Sequence, residues 1–222
     1  MPTTNLPRDI AYALFDFDGV IADTNPLYLE LDRMALRHFG YDPTDNELRS
    51  LMGHPSEVAG PELLAAHGIH ITSEDYLGIW DSDRDIYDSP TLIPSPGLHE
   101  LWDSLVVRNI KIAVVSTTRC VSLVRALNHF RLLSHVDAIV GREMVTHYKP
   151  HAEPYLCGLG LLATGDDDAA VRAIAVDDSQ AGVTSARAAG IYTICYQGSA
   201  ETQSVSGANW TVNSFAQITE SL

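Results

Sequence analysis

The chain has 222 residues, 45% of them apolar, which is enough for one α/β domain with a small insertion and a proper core. Its 29 acidic and 14 basic residues give a net charge of −15, which argues against nucleic acid or an anionic membrane as a partner. Three cysteines without a close pair favour reduced thiols in a cytoplasmic protein. We identify no signal-peptide pattern at the N-terminus, and the lack of a run of about 18 apolar residues predicts no membrane span.

An unbroken apolar run at residues 10–15 predicts a strand buried on both faces, as in the centre of a parallel sheet. Asp16 and Asp18 follow it, and their spacing on an extended chain places both carboxylates on one side. Crowded carboxylates repel unless a cation separates them, so this strand end predicts a site for a hard dication such as Mg²⁺. A turn with solvated acids is less favoured, because open α/β sheets bind ligands at this edge.

Residues 25–88 show helical periodicity and no strand pattern. The pattern predicts helices over residues 26–39, 46–52 and 56–67, and a fourth from residue 73 to as far as 87. This segment is therefore predicted to be an all-helical insertion after the first strand.

From residue 89 onwards, apolar strands alternate with amphipathic helices. Four further strands are predicted at residues 110–115, 136–140, 173–176 and 191–196, with a short sixth at 210–212. Such alternation indicates a doubly wound parallel sheet. We therefore predict an α/β fold of this kind with a small helical domain inserted after strand one.

Three further polar clusters follow predicted strands. Ser116 and Thr117 come at a strand-to-helix turn, where hydroxyl and N–H groups bind phosphate or simply cap a helix. Lys149, one of only two lysines, precedes a proline that restricts its backbone, although a lysine in a loop is usually solvated. Asp177 and Asp178 end an apolar strand, where two adjacent acids are costly for packing alone.

These clusters together resemble the four motifs of the haloacid dehalogenase-like hydrolase superfamily. They are D-x-D-G-[VT]-[LIV]-x-D-[TS] from residue 16, a strand ending in Ser or Thr at 116, Lys-Pro at 149, and [DE]-D-S-x-x-G-x-x-[AS]-A-x-x-A-G from 177. The resemblance covers nearly the whole chain and is nearest to the phosphoglycolate phosphatase and β-phosphoglucomutase groups. It implies a Rossmann-like catalytic core at residues 1–24 and 89–222. It also implies a helical C1 cap at residues 25–88 that closes over the site and excludes water.

The resemblance also implies roles for the charged residues. Asp16 is the nucleophile that becomes an aspartyl-phosphate, and Asp18 is the general acid/base, whose backbone carbonyl also binds Mg²⁺. Lys149 neutralises Asp16 and the transferring phosphoryl oxygens.

Further implied roles concern the phosphate, the metal and the cap. Ser116 binds the phosphoryl group, and Thr117 adds its backbone N–H. Asp178 is the more strongly expected direct metal ligand, with Asp177 binding directly or through water. In the cap, the residues most expected to face the substrate are His54, in a Gly-His-Pro loop, and Arg49.

The resemblance implies a Mg²⁺-dependent phosphatase that acts on a small phosphate monoester, as a monomer or weak dimer. The alternative is a sugar phosphomutase of the β-phosphoglucomutase type. Mutases of this type have a His where this chain has Tyr28, a cap Lys that residues 25–88 lack, and an Asn where Cys120 stands. A non-catalytic module predicts a lost nucleophile, and Asp16 is present. A protein phosphatase is disfavoured because a closed cap excludes large substrates.

Overall fold

A computed structural model describes residues 6–51, 56–81, 86–198 and 204–222. The described strands form one parallel sheet in the order β3-β2-β1-β4-β5-β6. They are β1 Tyr12–Phe15, β2 Lys111–Val115, β3 Ala138–Val140, β4 Ala173–Asp177, β5 Tyr192–Tyr196 and β6 Trp210–Val212. Helices pack on both sides of the sheet, so the predicted doubly wound α/β fold is confirmed. The helices of this unit are α5 Leu98–Val107, α6 Cys120–His129, α7 Glu153–Leu162, α8 Gln180–Ala188 and α9 Phe215–Thr219.

β1 is central because its side chains are apolar on both faces. Leu14 packs in the cluster that includes Leu159 of α7, whereas the ring of the next residue, Phe15, lies 5.5 Å from that of Trp102 in α5. Successive side chains of a strand point to opposite faces, so this one run covers both layers of the core. The full burial of β1 explains why the sequence there shows no polar alternation.

The third strand differs from its prediction at its N-terminal end. It begins at Ala138 rather than Val136, because Leu133–His135 form a 3₁₀ turn immediately before. The Asp137 carboxylate then accepts a hydrogen bond from the backbone N–H of Ile112 at 2.8 Å. Apolar periodicity marks the buried part of a strand but not the turn that precedes it.

The helical insertion is a second compact unit, with boundaries between Asp23 and Thr24 and between Leu92 and Ile93. Its core includes Leu36, Leu64 and Tyr76, and a Cβ at Gly60 would lie 2.2 Å from the Tyr76 ring. The helices are α1 Asn25–His38, α2 Asp45–Leu51, α3 Ser56–Ala66 and α4 Ser73–Asp81. The fourth is shorter than the predicted limit of residue 87, since Ile86–Asp88 form a 3₁₀ turn and residues 82–85 lie outside the described part. The roles of catalytic core and cap stay predictions.

No helix among the described residues is long and apolar enough to cross a membrane. The three cysteines are free thiols.

A buried acid lies inside the helical unit. Asp32 of α1 is 3% exposed and accepts hydrogen bonds from the hydroxyls of Tyr76 at 3.0 Å and Ser56 at 3.3 Å. Burial raises the pKa of Asp32 from 3.8 to about 6, although both hydrogen bonds act to lower it. Because the folded state binds this proton more tightly than the unfolded state does, the contribution of Asp32 to stability is greatest below pH 3.8. It falls as the pH rises to about 6.

We therefore expect Asp32→Asn to raise the free energy of unfolding at pH 8 by up to about 3 kcal/mol, since the Asn side chain buries no charge. Its carbonyl oxygen can accept from one hydroxyl, and its NH2 group can donate to the other, whose oxygen then acts as the acceptor. The gain should shrink as the pH falls from about 6 towards 4. Urea unfolding followed by circular dichroism measures it, with Glu62→Gln, an exposed acid of α3, as the matched control. A pH-independent difference between wild type and Asp32→Asn would contradict the assignment.

Candidate active site

Most of the predicted core site residues directly follow three neighbouring strands, whereas Lys149 lies in the loop after β3. β1 lies between β2 and β4, so the segments after these three strands meet at one edge of the sheet. The backbone N–H of Asp16 donates to the carbonyl of Val176 at 2.9 Å, which extends the β1–β4 ladder to the first acid. Residues 16 and 177 are thereby brought together, although they are far apart in the sequence.

A buried lysine joins the first and fourth motifs. The Nζ of Lys149 lies 2.8 Å from Oδ1 of Asp16 and 2.7 Å from Oδ2 of Asp177. The side chain of Lys149 is only 6% exposed, so its charge is compensated by these carboxylates rather than by water. Burial alone would lower the pKa of Lys149, but Asp16 and Asp177 outweigh this effect and raise it. Lys149 is therefore an ammonium at neutral pH.

Asp177 is fully buried, and groups of the protein surround both of its oxygens. Oδ2 accepts from Lys149 and, at 2.6 Å, from the hydroxyl of Tyr155, while Oδ1 accepts from the N–H and hydroxyl of Ser179. A Cβ at Gly182 would lie 1.8 Å from Oδ2, so only glycine leaves room for this carboxylate beneath α8. Burial and then the charge of Asp177 raise the pKa of Tyr155, which keeps its hydroxyl a donor. These hydrogen bonds fix the orientation of the Asp177 carboxylate, which can therefore hold the ammonium of Lys149 in place.

Asp178 differs from Asp177 in its surroundings. A Cβ at Gly19 would lie 1.9 Å from Oδ2 of Asp178, so the turn after β1 runs directly against this carboxylate. Burial, followed by the charge of Asp177, raises the pKa of Asp178 from 3.8 to about 7. Oxygens of Asp16, Asp177 and Asp178 all lie within 4.8 Å of one another.

The charges of this acidic cluster fit a dication. Burial raises the pKa of Asp16 well above its ordinary value, and the neighbouring carboxylates add to the rise against the effect of Lys149. One ammonium thus compensates only part of the negative charge of three carboxylates. A hard cation with oxygen ligands would relieve this repulsion, so the residues present fit Mg²⁺.

Asp18 lies next to the loop that follows β2. Its Oδ2 accepts from the hydroxyl of Thr118 at 3.0 Å and from that of Ser116 at 3.3 Å. The Ser116 hydroxyl in turn accepts from the N–H of Thr118 at 3.0 Å. These contacts orient the Asp18 carboxyl group towards the predicted phosphate-binding turn.

Three further predicted site residues, Thr117, Arg49 and His54, are not part of the acidic cluster. Thr117 is exposed in the same turn as Ser116, and Arg49 is exposed on α2 of the helical unit. His54 lies outside the described residues. No role was predicted for Thr118, although it belongs to the polar cluster after β2, and none was predicted for Tyr155. Thr118 shares the side of an extended turn with Ser116 by its spacing of two, whereas no sequence pattern indicated Tyr155.

Comparison with known proteins gives a consistent result. Residues 13–196 match the family model described as haloacid dehalogenase-like hydrolase. A phosphorylated carbohydrates phosphatase of Thermotoga maritima is 29% identical over 82% of each chain. Hexitol phosphatase B of Escherichia coli is 27% identical over 85% of this chain and 84% of its own. Among solved structures, a candidate beta-phosphoglucomutase of Thermotoga maritima superposes with a TM-score of 0.80, at 25% identity over 96% of this chain and 100% of its own.

Proposed function

Because this chain belongs to the haloacid dehalogenase-like hydrolase family, we propose that it hydrolyses a small phosphorylated carbohydrate with the help of Mg²⁺. As a member of that family it is a phosphohydrolase, and the proposal adds the substrate class, the metal and the covalent intermediate. The observation that carries it is the ion pair of Asp16 with the buried Lys149 beside two further acids. Such a cluster suits a charged nucleophile that meets an anionic phosphoryl group.

The substrate class is supported by two relatives named for carbohydrate phosphates. The Thermotoga protein is named for phosphorylated carbohydrates, and the Escherichia protein is named for hexitols. Each covers more than four-fifths of this chain. A phosphorylated polyol or sugar is therefore the first class of compound to assay.

Magnesium would be bound by Asp16, Asp178 and the backbone carbonyl of Asp18. Asp177 would act behind them, since its oxygens already accept from Lys149, Tyr155 and Ser179. When bound, the dication supplies positive charge for the phosphoryl oxygens during transfer. The dication would favour the ionised form of Asp178, because burial and the charge of Asp177 raise the pKa of this carboxyl to about 7.

The reaction proposed for this site has two half-reactions. In the first, a carboxylate oxygen of Asp16 attacks phosphorus, the ester P–O bond breaks, and protonated Asp18 gives its proton to the leaving alkoxide. In the second, Asp18 takes a proton from water, which attacks the same phosphorus and releases phosphate and the Asp16 carboxylate. Lys149 and the turn containing Ser116 stabilise the charge on the phosphoryl oxygens in both.

A sugar phosphomutase is the second candidate, favoured by the likeness to the Thermotoga structure. Such an enzyme would have to protect its aspartyl-phosphate from water until the next sugar arrives. Tyr28 stands at the position where the mutases have a His, and its hydroxyl is hydrogen-bonded to that of Tyr87 at 2.8 Å. Residues 25–88 also contain no lysine, which the mutases have in this segment. These differences favour hydrolysis. The substrate-facing roles of Arg49 and His54, the cytoplasmic location and the monomeric or weakly dimeric state stay predictions.

We expect the protein to release phosphate from phosphorylated polyols or sugars when a panel of phosphorylated metabolites is assayed with Mg²⁺. With p-nitrophenyl phosphate as a reference substrate, EDTA should abolish turnover and added Mg²⁺ should restore it. Full turnover in EDTA would contradict the metal site, and activity confined to non-carbohydrate esters would contradict the substrate class.

β-Glucose 1-phosphate separates the two candidate functions within this panel. We expect it to give free phosphate, if it is a substrate, and no glucose 6-phosphate, even with a trace of the 1,6-bisphosphate. Both products are followed in the same incubation. Glucose 6-phosphate that forms much faster than phosphate would favour the mutase.

A further inference from the structure

A second group of metal-ligating side chains surrounds the loop that contains Lys149. Ligand atoms of His147, His151 and Glu153 lie within 4.8 Å of one another. Unlike the acidic cluster, this group is open to solvent, with the side chain of His147 62% exposed and that of Glu153 30% exposed. It also differs in chemistry, because two of its three ligands are imidazoles.

Hydrogen bonds within the group preorganise it. The Glu153 carboxylate accepts from the backbone N–H groups of Thr146 at 2.7 Å and His147 at 2.9 Å. The Nδ1 of His147 lies 2.7 Å from the same carboxylate, so a cation that replaces the proton between them would meet a nitrogen and an oxygen ligand together.

The second imidazole lies against the first. The ring centroids of His147 and His151 are 4.6 Å apart, and Nδ1 of His151 accepts from the N–H of Glu153 at 3.1 Å. The backbone carbonyl of His151 also accepts from the hydroxyl of Ser185 at 2.5 Å, which anchors this end of the loop to α8. The ligands therefore start close together, and little ordering entropy opposes binding.

We propose that His147, His151 and Glu153 form a binding site for a transition-metal dication of the Zn²⁺ class. Ions of this class prefer imidazole nitrogen, whereas Mg²⁺ prefers oxygen, so the two clusters would select different metals. Tetrahedral Zn²⁺ requires ligand atoms roughly 3.3 Å apart, which small rotations of the exposed rings achieve from the present arrangement. Water completes the coordination.

This site lies next to Lys149, so a metal ion bound there would affect a residue proposed to act in catalysis. His147 and His151 lie two residues before and two residues after Lys149. A bound ion would join both ends of this five-residue segment and restrict its motion. The proposal for the metal site itself does not depend on the phosphatase activity.

Isothermal titration of tag-free protein with Zn²⁺, in excess Mg²⁺, tests the site. We expect one Zn²⁺ per chain, and about tenfold or greater loss of affinity in His147→Gln and in His151→Gln. The matched control is His99→Gln, an exposed histidine of α5, which should bind as wild type does. Equal affinity in wild type and both loop variants would overturn the proposal.

Spectroscopy distinguishes this site from the acidic cluster without an activity assay. Cu²⁺ bound to wild type should show nitrogen hyperfine splitting from two imidazoles in its electron paramagnetic resonance spectrum. The double variant His147→Gln/His151→Gln should lose it, and circular dichroism should show an unchanged fold. A spectrum from oxygen ligands alone in wild type would overturn the assignment.

Hydrogen exchange tests the consequence for the loop. Zn²⁺ should slow exchange of the backbone amides of residues 146–149 and 151–152 in wild type, and not in the double variant. Exchange that Zn²⁺ leaves unchanged in wild type would show that a bound ion does not restrain Lys149.

Discussion

Replacing Asp16 by Asn should abolish phosphatase turnover, with a loss of more than about 10⁴-fold in kcat. The amide oxygen lacks the negative charge needed to form the bond to phosphorus. The fold should survive, because the change removes one anion from a crowded cluster and leaves Lys149 its contact with Asp177 at 2.7 Å. Phosphate release from p-nitrophenyl phosphate measures the loss, and thermal unfolding measures the fold.

Asp168→Asn is the matched control for this variant. It also removes one carboxylate, but from the exposed turn before β4, at the opposite end of that strand from Asp177. It should retain wild-type turnover. Beryllofluoride should be trapped by wild type and the control but not by Asp16→Asn, and equal trapping in all three would indicate another nucleophile.

Replacing Lys149 by Ala should lower kcat/KM by about 30- to 900-fold, which corresponds to about 2–4 kcal/mol of transition-state stabilisation. The ammonium is 6% exposed and directly contacts Asp16, so its removal takes away a preorganised charge that water replaces poorly. It also leaves two buried carboxylates without their shared cation. We therefore expect a loss of stability on the order of 3 kcal/mol.

The only other lysine provides the control. Lys111 is exposed at the start of β2, and its Nζ donates to the backbone carbonyl of Leu162 at 2.9 Å. Lys111→Ala should leave kcat/KM unchanged. If Lys149→Ala loses stability while kcat/KM stays within about twofold of wild type, Lys149 is an ion-pair partner of structural importance only.

Much of the architecture could be predicted because the relevant signals are local. The family and the doubly wound fold are both confirmed. The periodicity of single segments was sufficient to predict the fold, whereas the family was indicated by the resemblance of the four motifs. The strand boundaries were less accurate, as at β3, because a 3₁₀ turn and a side-chain bond of Asp137 decide where pairing begins. Hydrophobic patterns contain no information about such polar contacts.

The sequence also predicted which edge of the sheet carries the site. It did not predict the hydrogen bonds and ion pairs among the site residues. Acids that follow buried parallel strands must lie at one edge of a sheet, so the sequence predicts that Asp16 and Asp177 lie near each other. The chemical roles of these residues stay predictions, and the experiments above test them.

The sequence by itself determined the fold, the family and the edge at which the acids gather, because strand period, glycine turns and motif order act over a few residues. Only the tertiary structure decided that Thr118 bonds Asp18 across 100 positions, and that Tyr155 donates to Asp177 beside Lys149. It likewise decided that His147 and His151 pack together with Glu153. Such contacts depend on side-chain directions set by the packing of whole elements, and no spacing along the chain encodes them.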